Sequence, residues 1–106
     1  NGLSYNNFIT YLKTNKFKLI DLREKEELTK DGMIKNATNI PFHTFLDTFK
    51  KNKKSNNKKQ YLLYCAVGQR SSLALQVIQS YGYKNSYHLI GGIKEWINNN
   101  NPIEII

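Results

Sequence analysis

Two rhythms of apolar residues alternate along the chain. Phe17 to Leu22 and Tyr61 to Tyr64 are short, continuous, β-prone runs with the length of buried strands, and Asn85 to Ile90 reads as a further strand. Between them, apolar residues recur at three- and four-residue spacing, the mark of a helix with one buried face. These stripes are Phe8, Ile9 and Leu12; Phe42, Phe45, Leu46 and Phe49; Leu73, Ala74, Val77, Ile78 and Tyr81; and Ile93, Trp96 and Ile97. Ser4, Thr44 and either Ser71 or Ser72 are available as caps for the first three stripes. The first helix is expected to end near Asn15, the third at Gly82, and the last over 98–102. Glu24 to Thr29 predicts a short helix with its acidic residues at the favourable end, broken by Gly32, and Ile103 to Ile106 predicts a short terminal strand.

Strands that alternate with helices pair in parallel through right-handed crossovers. The expected fold class is therefore α/β: three layers, with helices on both faces of a small, mainly parallel sheet. The pattern leaves the strand order open. In this frame the Phe42 stripe and Trp96 are core residues, His43 a surface or capping residue, and His88 a structural member of its strand.

The stretch with the most chemistry follows the Tyr61 to Tyr64 strand. It holds Cys65, a short loop with Gly68, then Arg70 and the start of a helical pattern. A thiol here sits at the carboxyl end of a strand and faces the amino end of a helix. The first helical turn offers unpaired backbone N–H groups and partial positive charge, and a tight loop aims further N–H groups inward. Both favour the thiolate, which is the nucleophile, and the same donors would hold an anionic substrate. Gly68 permits a backbone angle that a side chain resists. The alternative for Cys65, a small buried hydrophobe, fits this position less well.

Cys65-Ala66-Val67-Gly68-Gln69-Arg70-Ser71 resembles the active-site loop of the rhodanese sulfurtransferases, Cys-x-x-Gly-x-Arg followed by a small residue. Leu19 to Arg23 is similar to that family's Asp-hydrophobic-Arg segment, Ala37 to Pro41 to its Ala-x-Asn-Ile-Pro segment, and Gly91 to Trp96 to its Gly-Gly-x-x-x-Trp close. The four matches run in the family's order from about Lys18 to Trp96, while Gly32 to Ala37 departs from the frequent Gly-His-Ile-Pro-Gly-Ala. The resemblance implies a rhodanese-like fold and a sulfurtransferase of the thiosulfate:cyanide class that works through a persulfide on Cys65. The loop Ala66, Val67, Gly68, Gln69, Arg70 and Ser71 would bind substrate, and Asp21 and Arg23 would support the neighbouring loops. Arg70 has two open roles, contact with the anionic donor or bracing of the loop. The implied partners are a small anionic, thiosulfate-like donor and a thiol or protein acceptor, with no cofactor.

Composition narrows the rest. The 106 residues, 40% hydrophobic, suit one globular domain spanning 1–106. The chain begins at Asn1 rather than Met, as expected of a piece of a longer protein. No apolar run approaches the roughly 18 residues that span a bilayer, and no secretory signal pattern is present. One cysteine excludes an internal disulfide and any multi-thiolate zinc site, and His43 and His88 have no ligand spacing, so no metal site is expected. A lone free thiol fits a reducing, cytoplasmic location.

The net charge of +8 is concentrated in Lys50, Lys51, Lys53, Lys54, Lys58 and Lys59. Without interleaved aromatics this run reads as a solvated loop rather than a nucleic-acid site, though the positive field attracts small anions. Two other functions stay in view. A phosphatase or arsenate reductase on the same fold resembles this chain less, because those relatives carry Cys-x5-Arg and only four residues separate Cys65 from Arg70. A regulatory or protein-interaction module is the other, usual where the cysteine has been lost.

Overall fold

A computed structural model describes residues 1–51 and 59–106. In chain order these form β1 (Gly2–Leu3), α1 (Tyr5–Leu12), β2 (Lys18–Asp21), α2 (Lys25–Asp31), β3 (Thr38–Asn39), α3 (Phe42–Lys51), β4 (Tyr61–Tyr64), α4 (Gln69–Ser80), β5 (Tyr87–Leu89) and α5 (Gly92–Asn98). The strands make one parallel sheet in the order β1-β5-β4-β2-β3, which is the α/β class that the alternating pattern predicts. The strand between the two halves of this order is β4, whose four residues are all buried. It pairs with β2 from Lys18–Tyr61 to Asp21–Tyr64, so the carboxyl ends of the two strands lie side by side.

Alternation along the strands divides the core into two layers. Ile20, Leu22, Tyr61, Leu63 and Cys65 face Phe45 and Phe49 of α3 and Ala74, Leu75 and Ile78 of α4. Leu19, Leu62, Tyr64 and Leu89 face Phe8 of α1 and Ile93 and Trp96 of α5. Trp96 is the core anchor that its spacing predicts, edge-on to Phe8 and donating from Nε1 to the Pro102 carbonyl. His43 is exposed and His88 is buried.

Several element ends differ from the pattern for local reasons. Ser4 does cap α1, accepting from the Asn7 N–H, but the helix stops at Leu12; a tighter turn then carries the chain to Asn15, whose φ is 57°. Phe42, not Thr44, opens α3, because the Phe42 N–H is already bonded to the Leu22 carbonyl and the Phe45 N–H to that of Pro41. Neither Ser71 nor Ser72 caps α4: Gly68, in the left-handed region, takes that position, and both serines lie in the first turn. The 103–106 segment is not a strand; Glu104 makes a single antiparallel bridge to Met33. The two-residue strands β1 and β3 are too short to show a period. The expected solvated loop over Lys50 to Lys59 lies outside the described residues, apart from Lys50, Lys51 and Lys59, which are exposed.

Candidate active site

Cys65 is the first residue after β4, and strand alternation turns its side chain to the face that α4 covers. Its sulfur lies beneath the first turn of α4. The N–H groups of Gly68 and Ser71 point to Sγ at 3.2 Å and 3.4 Å, and the Ser71 hydroxyl lies 3.5 Å away. Two backbone donors and a hydroxyl thus converge on one atom, an arrangement that stabilises negative charge on sulfur. Cys65 itself is 1% exposed.

Two glycines make the convergence possible. Gly68 adopts φ 99°, and a Cβ there would strike the Ile90 carbonyl. Gly92 adopts φ 66°, and its Cβ would strike the Ala66 carbonyl. The turn between β5 and α5 therefore lies directly against the cysteine loop. The first amides of α5 secure it, Ile93 donating to the Cys65 carbonyl (2.9 Å) and Lys94 to that of Ala66 (3.2 Å). This contact gives Gly92 its physical reason. Val67, Leu73 and Ile90, each about half exposed, form an apolar rim around an open depression of about 650 Å³ beside Gly68, with His88 in its wall.

Arg70 faces two groups, Glu27 of α2 and, more weakly, the Cys65 sulfur. Its guanidinium makes a two-pronged ion pair with Glu27 of α2 (2.8 and 2.9 Å). The ion pair joins α4 to α2, and the interaction with Cys65 keeps the guanidinium beside the loop, so both of its possible roles stay open. The pair holds the Glu27 carboxyl down at about 2, chiefly through the Arg70 hydrogen bonds, and raises the Arg70 pKa in return. Glu27 also accepts from the Glu24 N–H and so closes a capping box at the start of α2.

Asp21 and Arg23 sit at the neighbouring strand end, both fully buried. Arg23 Nη2 meets Asp21 Oδ2 at 2.8 Å and the Gly32 carbonyl at 2.6 Å, and Nε meets both carboxylate oxygens. The Arg23 pKa is raised: burial, the largest influence, opposes the charge, but the combined pull of Asp21, Tyr64 and Asp31 exceeds it. Asn39 donates to the Asp21 and Arg23 carbonyls, tying β3 to the same corner. The cluster ties the loops after β2 and α2 together.

Two residues near the site carry no chemistry in the sequence reading. Glu27 is one; its signal was the capping-box spacing Glu24-x-x-Glu27. The other is His88, whose Nδ1 lies 2.9 Å from the Ser71 hydroxyl. Alternation with Tyr87 and Leu89, which face α1 and α5, was its signal, because it puts His88 on the side of Cys65. Among the described residues there is no group of three or more potential ligands that could hold a metal ion.

The model of the rhodanese-like domain matches residues 4–99. A mouse protein, thiosulfate sulfurtransferase/rhodanese-like domain-containing protein 3, is 26% identical over 91% of this chain and 68% of its own length. A tRNA uridine(34) hydroxylase of Wigglesworthia glossinidia brevipalpis is 32% identical over 98% of this chain, which spans only 35% of that relative. The crystal structure of a rhodanese-related protein from Thermoplasma volcanium superposes with a TM-score of 0.80 at 28% identity, covering 100% of this chain and 99% of the other. With a family match that takes in every strand after β1 and all five helices, the chain belongs to the rhodanese-like domain family.

Proposed function

We propose that this chain is a sulfurtransferase that carries sulfane sulfur as a persulfide on Cys65. The Cys65 thiolate attacks the outer sulfur of thiosulfate or of a persulfide donor. A sulfur–sulfur bond forms, the donor's own bond to that sulfur breaks, and sulfite or a thiolate leaves with the electron pair. A thiol or protein acceptor then attacks the outer sulfur and returns Cys65 to the thiolate. The leaving group departs as an anion, so it needs no proton from an acid.

The single observation that carries this reading is the convergence of the Gly68 and Ser71 amides on Sγ. Donors fixed before reaction stabilise charge on sulfur without reorganisation. The relatives named as sulfurtransferases support the same class of chemistry. A reducing, cytoplasmic setting suits a lone reactive thiol. The matching tRNA uridine(34) hydroxylases favour a second reading, in which this domain serves as one part of a longer RNA-modifying protein.

Intact-mass spectrometry after incubation with thiosulfate tests the proposal. The expected result is a gain of one sulfur atom that cyanide or a reducing thiol removes and that Cys65→Ser abolishes. No gain in the folded protein with thiosulfate, nor with a persulfide donor, would overturn it and turn attention to the interaction-module reading.

A further inference from the structure

Three side chains from three elements meet in a line under α4. Cys65 Sγ lies 3.5 Å from Ser71 Oγ, and Ser71 Oγ lies 2.9 Å from His88 Nδ1. All three residues are buried, at 1%, 0% and 8% exposure. The Gly68 carbonyl also lies within reach of the Ser71 hydroxyl, at 3.3 Å, but the imidazole nitrogen is closer. With the ring neutral and Nδ1 bare, the Ser71 hydroxyl donates to Nδ1 and its oxygen accepts from the Cys65 thiol.

We propose that Cys65, Ser71 and His88 form a proton relay in which His88 takes up the thiol proton by way of the Ser71 hydroxyl. The S–H bond breaks as a new O–H bond forms on Ser71, and the original Ser71 O–H bond breaks as an N–H bond forms on His88. The products are a thiolate and an imidazolium; no proton enters or leaves and nothing is oxidised. Both hydrogen bonds reverse in the process. Ser71 then donates to the sulfur anion, beside the two amides already aimed there, and His88 holds the hydroxyl in that sense. His88 touches Ser71 rather than the sulfur, so it is a positioning residue. The relay deepens the sulfur-transfer reading and rests on it only for its use: ionisation of the thiol precedes any encounter with a donor.

The surroundings suit a neutral resting ring and oppose a lone imidazolium, so the ring holds the proton only together with the thiolate formed beside it. Burial, then the amino group of Asn1 on the side of β1, lower the proton affinity of His88, and a backbone hydrogen bond at Leu89 partly offsets them. From α4 the ring meets Ser71, and through it Cys65 just after β4, whose sulfur also interacts with the Arg70 guanidinium. Helices α1 and α5 lie on the opposite face of β5, where they meet Tyr87 and Leu89.

The test is the ultraviolet absorbance of the thiolate, which reads Cys65 alone because the chain has one cysteine. It is followed against pH in the native protein, Ser71→Ala, His88→Gln and the double variant, with Cys65→Ser as blank. At the pH of half-ionisation in the native protein, each single variant should lower the ratio of thiolate to thiol roughly tenfold, the change carried by one unit of a proton equilibrium. The double variant should fall no further than the larger single effect, because both break one path. Ser71→Thr, which keeps the hydroxyl, should restore the native curve. An unmoved curve in His88→Gln, or effects that multiply in the double variant, would overturn the relay. Nitrogen NMR of the unmodified protein supplies a check that no folding defect can spoil: neutral His88 should carry its proton on Nε2, and a proton on Nδ1 refutes the proposal. These readouts involve no sulfur donor. A protein that fails to gain sulfur but shows the coupled titration would refute the functional reading and leave the relay standing.

Discussion

Adjacent parallel strands β2 and β4 end at the same level of the sheet, and both deliver reactive polar chemistry there, yet the two corners are built in opposite senses. After β2, the side chains serve the backbone: Arg23 meets the Gly32 carbonyl, Asn39 meets two more, and the carboxylates in contact, Asp21 and at longer range Asp31, are matched by the guanidinium. After β4, the backbone serves a side chain: two amides are turned onto the sulfur of Cys65, which also meets the Ser71 hydroxyl. The first corner consumes its polarity internally and becomes a strut. The second holds fixed donors around one sulfur, with the Arg70 guanidinium close enough to feel its charge, a setting that suits a nucleophile. Position at the carboxyl end of a strand therefore does not by itself distinguish a candidate nucleophile from a strut; the direction in which the hydrogen bonds run separates the two corners.

The sharpest way to break this contrast is to remove the strut. Arg23→Met leaves the buried Asp21 carboxylate without its cation and the Gly32 carbonyl without its donor. Loss of one partner of a buried pair costs about 3–5 kcal/mol, a large fraction of the roughly 5–15 kcal/mol that hold a domain together. Urea denaturation should show that loss, while the molecules that remain folded still gain sulfur from thiosulfate. A variant of undiminished stability that could not be sulfurated would place Arg23 among the reacting groups instead.

A smaller effect, aimed at the other corner, is expected from Gly68→Ala. The φ of 99° and the approach of the Ile90 carbonyl both oppose a Cβ, at a cost of about 1–3 kcal/mol. Because the Gly68 amide is one of the two aimed at Sγ, the rate of sulfur gain should fall more than the stability loss explains. Rate and unfolding midpoint that decline in proportion would mean the amide contributes nothing beyond folding.

The sequence carried much of this contrast. Periodicity yields the helices and the longer strands because apolar spacing is what the core selects, and the thiol between a strand and a glycine loop marks the chemistry. What stayed hidden depends on relations between distant segments. Strand order is absent from any local pattern. Glu27 gains its meaning only when α2 comes to lie beside the first turn of α4. His88 looked like one residue in a strand until the parallel pairing of β4 and β5 put its face beside Ser71. The misplaced start of α4 has a more local cause: a glycine with positive φ can hold the cap position without any side-chain oxygen, so Ser71, one of the two serines that pointed to a cap, was free for the sulfur.

The mildest perturbation tests whether the brace between the two corners is ionic. Glu27→Gln removes the charge opposite Arg70 but keeps an amide oxygen for the Glu24 N–H, so the capping box survives. The pair is about one-third exposed on both sides and screened by solvent, so the loss at neutral pH should be at most about 1 kcal/mol. Its pH dependence identifies it. The Glu27 carboxyl is held at about 2 against an ordinary 4.5, so its contribution is complete above the unfolded value and disappears as pH falls toward the folded one. Native protein and variant should therefore differ most at neutral pH, converge as the pH is lowered through that window, and differ less in high salt. A difference that stayed constant with pH would assign the effect to packing or to the cap, and Arg70 would then be held at the mouth of the loop by shape rather than by charge.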